Sequence, residues 1–107
     1  MKMIKVTYTV KSAFAAENQK NVEAFINDLA KIENPSLRYL ASLSRDGKTF
    51  NHFALYQNDA AQKILFDLPS FQSFQKKRDE SGLEVAPQIE ELDLVASSFD
   101  IFEKASA

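Results

Sequence analysis

The sequence predicts an α+β domain whose elements run strand, helix, strand, strand, helix, strand. Three observations carry this. Residues 4–11 alternate apolar and polar groups. Two later stretches repeat apolar groups at helical spacing. Between these stretches, two apolar runs are joined by Asp46-Gly47, a short-turn signature.

Ile4, Val6, Tyr8 and Val10 alternate with Lys5, Thr7, Thr9 and Lys11, so a first strand has one apolar face. Val22, Phe25, Ile26, Leu29 and Ile32 then recur at helical spacing, with Lys20, Glu23, Asn27, Asp28 and Lys31 on the opposite side. This helix is expected to stop near Asn34, because Pro35 disfavours helical geometry in the residue before it. Leu37 to Arg45 and Lys48 to Gln57 read as paired strands. A two-residue type I′ turn at Asp46-Gly47 would set Arg45 opposite Lys48, Leu43 opposite Phe50, Ala41 opposite His52 and Tyr39 opposite Ala54. Asp59 is the expected cap of a second helix, with Gln62 completing a weak capping box. Ala61, Ile64, Leu65 and Leu68 form its inward stripe. Pro69 suits the first position of a further helical piece carrying Phe71 and Phe74, which Gly82 ends. Leu92 to Phe102, with Leu92, Leu94, Val95, Phe99 and Ile101, reads as the last strand. The order is the ferredoxin-like βαββαβ motif, an antiparallel four-stranded sheet with two helices on one face.

At 107 residues the chain is expected to be one domain, 1–107. With 45% hydrophobic residues and nine Phe it can bury a core without a staple. The absence of Cys excludes a disulfide framework, a thiolate zinc site and a cysteine nucleophile, and it fits a reducing compartment. The alternating N-terminus lacks the apolar stretch of a signal peptide, and no run approaches the roughly 18 apolar residues of a membrane-spanning helix. A cytoplasmic location is therefore expected. A net charge of −2 with mixed signs argues against a nucleic-acid or anionic-membrane partner. The two Gly are too far apart for a phosphate-binding loop. Lys48 to Phe53 also lacks the Gly pattern of an aromatic RNA-binding strand.

Both faces of the central hairpin are apolar. One collects Tyr39, Ala41, Leu43, Phe50, Ala54 and Tyr56; the other holds Leu40, Phe53 and Leu55 among Arg38, Ser42 and Asn51. Two helices cover only one face, and a sheet with one wet face should alternate cleanly. The expectation is a homodimer joined through the Leu40, Phe53 and Leu55 face.

His52 is the only histidine, so it is either the single base of a site or a structural residue on a strand. Alone it cannot build a multi-histidine metal centre. Glu90, Glu91 and Asp93 read either as a metal site or, more commonly, as a solvated run before the last strand; no metal is expected. Lys76-Lys77-Arg78, followed at once by Asp79-Glu80, reads as a solvated helix face. Hairpin register puts Tyr39, His52 and Tyr56 on one face, and Tyr8 joins them from the first strand. They would converge on an apolar pocket walled by Phe25, Leu65, Phe71 and Phe74. There His52 would accept a proton from a phenol while a tyrosine hydroxyl holds the oxyanion. The alternative is a set of ordinary core tyrosines whose hydroxyls reach solvent or backbone.

Three stretches carry a family resemblance: Asn34-Pro35-Ser36-Leu37-Arg38-Tyr39 with the Asp46-Gly47 turn, Phe53-Ala54-Leu55-Tyr56-Gln57-Asn58-Asp59-Ala60-Ala61, and Leu68-Pro69-Ser70-Phe71-Gln72-Ser73-Phe74. In these the chain resembles the antibiotic biosynthesis monooxygenase-type family of dimeric α+β barrels. The element order matches over nearly the whole chain and the specific motif over its middle third. The resemblance implies oxygenation of a small phenol- or quinol-like aromatic without a cofactor, with Tyr56 at the family's usual pocket Trp. The other reading is a non-catalytic small-ligand-binding or stress-response barrel. Leu65 and Ser70 stand where many members have His, and Thr7-Tyr8 where the heme-degrading branch uses Asn. Heme degradation is therefore not expected.

Overall fold

A computed structural model of the chain describes residues 1–102. Its elements are β1 (Lys2–Thr9), α1 (Ser12–Ile32), β2 (Leu37–Leu43), β3 (Thr49–Tyr56), α2 (Asp59–Asp67), α3 (Pro69–Glu80) and β4 (Val85–Leu92). The strands form one antiparallel sheet in the order β2-β3-β1-β4. This is the expected ferredoxin-like α+β fold. The inner sheet face and the helices enclose a core built around Tyr8, Phe25, Phe50, Leu65, Phe71 and Phe74.

The hairpin keeps the expected register: Leu43 pairs with Phe50, Ala41 with His52 and Tyr39 with Ala54. Its turn is different. Ser44 N donates to Thr49 O at 2.8 Å, Gly47 N donates to Ser44 O at 3.0 Å, and only Gly47 takes a positive φ in the loop. The loop therefore has four residues, Arg45 to Lys48, instead of a two-residue type I′ turn. A type I′ turn needs positive φ at both Asp46 and Gly47. The Asp46 carboxylate instead accepts from Lys48 N and Thr49 N, both at 2.9 Å. Widening the loop by one residue on each side leaves the pairing unchanged.

Helix α1 ends at Ile32, and Glu33 takes the left-handed cap at φ 55, with its N–H donated to Ala30 O. Ile32 is exposed, so it is not part of the inward stripe. A residue with a side chain is strained in this conformation, and glycine is not. Glu33→Gly is expected to raise stability by about 0.5 kcal/mol, a rise in Tm of a few degrees for a domain this size. Thermal unfolding followed by circular dichroism would check it, and a fall in Tm would count against the cap reading.

Asn58, not Asp59, caps α2: its Oδ1 accepts from Ala61 N at 2.9 Å, and Asp59 is the first helical residue. The break before Pro69 is as expected, Leu68 being extended between the two helices. The last strand falls elsewhere. It is Val85–Leu92, and residues 93–102 form no helix or strand. It is an edge strand, pairing with β1 alone, and its register shifts between Thr7 and Thr9, opposite the Ala86-Pro87 stretch. A proline is tolerated at such an edge irregularity because no ladder donor is required there. Glu90 and Glu91 lie inside this strand and Asp93 outside it. Among the described residues no acidic or histidine cluster could hold a metal ion, and no helix is long and apolar enough to cross a membrane.

The outer sheet face carries Leu40, Phe53, Leu55 and Met3 at one end and Thr7, Ser42 and Asn51 at the other. Leu40 is 53% exposed, whereas Leu55 is buried. The chain beyond β4 returns to the far edge strand, where Arg38 Nε donates to Ile101 O at 2.9 Å.

Candidate functional site

Strands β1, β2 and β3 bring Tyr8, Tyr39 and His52 together on the inner face. The Tyr8 hydroxyl lies 2.8 Å from His52 Nε2, and the Tyr39 hydroxyl lies 2.6 Å from His52 Nδ1. Asn18 of α1, fully buried, donates its Nδ2 to the Tyr8 hydroxyl at 2.9 Å. The result is a chain, Asn18 to Tyr8 to His52 to Tyr39, in which every link is a side-chain hydrogen bond.

Burial, and then the Arg78 charge, push the His52 pKa down to about 3, so the ring is neutral. A neutral imidazole has one donor and one acceptor nitrogen. Tyr8 accepts from Asn18, and its own hydrogen needs an acceptor. Nε2 is the only one within reach among the described residues. Nδ1 then carries the ring hydrogen and donates it to the Tyr39 oxygen. Tyr39 thus accepts from within and has its own hydrogen left to give. Burial holds the Tyr8 and Tyr39 hydroxyls far above the usual tyrosine range, and burial raises Tyr56 to about 12. All three are protonated at neutral pH.

A cavity of about 290 Å³ adjoins this chain. Of the residues expected at a pocket, Tyr39, His52, Tyr56, Leu65, Phe71 and Phe74 line it. Tyr8 and Phe25 do not. Both are fully buried and stand behind the wall, Phe25 packing 4.9 Å from Phe74 and 5.1 Å from Phe71 between ring centroids. The structure adds Phe66, Gln62, Gln75 and Arg78 from the helices, and Pro87 and Ile89 from β4. Ile89 is 71% exposed. A wider hollow of about 500 Å³ at the end of α1 contains neither His52 nor Arg78. Its arginine, Arg38, gives its hydrogen bonds to backbone carbonyls.

Arg78 is the main correction. It is buried, not solvated, with its guanidinium carbon 5.1 Å from the Tyr8 ring centre and 5.3 Å from that of Phe74. A sequence signal existed: Arg78 continues the Phe71 and Phe74 stripe at i+7 and i+4. Asn18 likewise sits four residues before Val22, on the buried side of α1. The expectation that His52 takes a proton near neutral pH also changes. A ring with a pKa of about 3 and both nitrogens bonded is a weak base.

Fold and cavity together define a ferredoxin-like α+β domain with an aromatic-walled pocket between sheet and helices. Solved structures share this fold. One is a Caulobacter crescentus CB15 protein provisionally named an antibiotic biosynthesis monooxygenase: it is 24% identical, with 89% of this chain and 90% of that chain covered, at a TM-score of 0.73. A Pseudomonas aeruginosa protein is 21% identical, with 89% and 94% covered, at 0.72. A variant of SnoaB from Streptomyces nogalater, named a cofactor-independent oxygenase, is 14% identical, with 92% and 97% covered, at 0.68. At these identities the likeness establishes the fold. No family model matches the chain, and no curated protein matches it.

Proposed function

We propose that the chain is a cofactor-independent monooxygenase of small phenols or quinols that works as a homodimer. The observation that carries this is a cavity walled by Tyr56, Phe71 and Phe74 that is also lined by Tyr39, whose hydroxyl is protonated, and by Arg78. The names borne by proteins of the same fold support it. In the reaction a phenol loses its O–H and para C–H hydrogens. One atom of O₂ becomes the new quinone carbonyl, and the other leaves as water with those two hydrogens. Electrons come from the substrate itself. Tyr39 and Tyr56 hold the substrate oxygen as charge develops on it. His52 acts through Tyr39, fixing which way its hydroxyl points.

Oxygen uptake on a quinol panel, in buffer containing a chelator, tests this. Uptake above the uncatalysed rate is expected, with a loss of about 10–100-fold in Tyr39→Phe. The weak basicity of His52 favours one other reading, a pocket that binds aromatics without oxidising them. Binding with no added oxygen uptake would select that reading. Heme should remain intact in either case. The pocket's one histidine has both nitrogens engaged, and Tyr56 and Leu65 replace the family's Trp and His. An unchanged heme spectrum after incubation with a reductant and oxygen is expected, and bleaching would contradict it.

A further inference from the structure

The chain of hydrogen bonds leaves one buried group unused. Arg78 is 9% exposed and lines the cavity. Among the described residues its one side-chain hydrogen bond runs from Nε to Asp79 Oδ1 at 3.0 Å. Among the described residues the two terminal amino groups have no hydrogen-bond partner, and neither is fully enclosed, so both remain accessible to a ligand. Buried arginines are ordinarily paired, because an uncompensated charge in an apolar wall is costly. The Tyr8 and Phe74 rings offset part of that cost from one side. Asp79, engaged only at Nε, is more than half exposed, and the exposed Glu91 on the inner side of β4 makes no ion pair with Arg78. Tyr39, which also lines the cavity, has a hydroxyl hydrogen to give, since His52 already donates to its oxygen. Gln62, Gln75 and Tyr56, which also line the cavity, can donate or accept, whereas the guanidinium and the Tyr39 hydroxyl have hydrogens to give and together favour an acceptor that carries negative charge.

We propose that the pocket takes a planar aromatic anion, a carboxylate or a phenolate, whose charged oxygen pairs with the Arg78 guanidinium and accepts from the Tyr39 hydroxyl. The ring lies against Tyr56, Phe71 and Phe74. The cavity, about 290 Å³, is at the lower end of ligand-sized pockets and fits one or two fused rings. The inference rests on the reading of the cavity as an aromatic pocket and not on the oxygenation step. It also assigns a role to Arg78 in that step, because the anion of a phenol gives up electrons to oxygen more readily than the neutral form.

Calorimetric titration of the native protein with a naphthalene carboxylate and with its neutral carboxamide tests it. The two share ring and size and differ in charge. At pH 7.5 the carboxylate is expected to bind about tenfold or more tighter, the range of a charge-assisted hydrogen bond. Arg78→Met should abolish that preference while leaving carboxamide affinity within about threefold, and Arg78→Lys should recover part of it. Equal or tighter binding of the carboxamide by the native protein would overturn the proposal and leave the aromatic pocket standing. A carboxylate preference that survives in a folded Arg78→Met protein would overturn the role of Arg78. If neither compound binds at millimolar concentration, both the proposal and the aromatic reading fail.

Discussion

Acidification is expected to destabilise the protein steeply through one residue, His52. In the unfolded chain an imidazole takes a proton below about 6.5. In the fold it resists protonation down to about 3, because burial and the Arg78 charge both disfavour the cation. The folded pKa is depressed, so the stability this group contributes is complete above pH 6.5. It falls as pH drops through that value and is lost by about pH 3. The full span is worth on the order of 5 kcal/mol, a large part of the 5–15 kcal/mol typical of a domain. His52→Gln isolates the effect, since carboxylate titrations are common to both proteins. At pH 7.5 the variant should be less stable by about 2 kcal/mol, having lost fitted hydrogen bonds in a buried network. As pH falls the native protein loses its advantage, and the two stability curves should cross near pH 5. Urea unfolding at a series of pH values measures this. Parallel curves would mean that the ring takes up its proton at the same pH in the fold as in the unfolded chain, and would overturn this expectation.

The second large effect is expected at the outer sheet face. Leu40 and Phe53 are directly paired there, and Leu40 is half exposed. Leu55 next to them is already buried within the chain, so the open patch is narrower than the sequence pattern implied. If a second copy covers it, Phe53→Lys places an unpaired ammonium in an apolar interface, a cost of about 3–5 kcal/mol. The native protein should then be a dimer at micromolar concentration and the variant a monomer. Light scattering on both decides the matter, and a native monomer would remove the dimer from the proposal.

How much of this was legible in the sequence differs from element to element. The hairpin register was readable although its turn was not, because the alternation of apolar residues fixes which face each side chain takes. A symmetric change in the loop does not disturb that alternation. The sequence alone therefore places Tyr39, His52 and Tyr56 on one face. The last strand was misplaced for the opposite reason. Val85–Leu92 holds a proline and few large apolar groups, as an edge strand can. Leu94, Val95 and Phe99 have the apolar character of a strand, yet Val95 and Phe99 are largely exposed. Asn18 and Arg78 are not legible as site residues, because polar residues on an inward stripe read as interruptions of a pattern. Only the tertiary structure shows that one meets a phenol and the other a cavity.

The hydrogen-bonded chain also has a direction, and that direction is set at its far end. Asn18 meets Tyr8 with its amide nitrogen, while its buried Oδ1 has no partner. Turned over by half a rotation, the same amide would accept the Tyr8 hydrogen. Tyr8 would then accept from His52 Nε2, Nδ1 would become the acceptor, and Tyr39 would surrender its hydrogen inward. The cavity would offer a lone pair where it had offered a proton. Whether this pocket reads a ligand's acceptor or its donor is thus recorded in a side chain that no ligand reaches, three bonds upstream. Preference could invert with every residue of the wall unchanged.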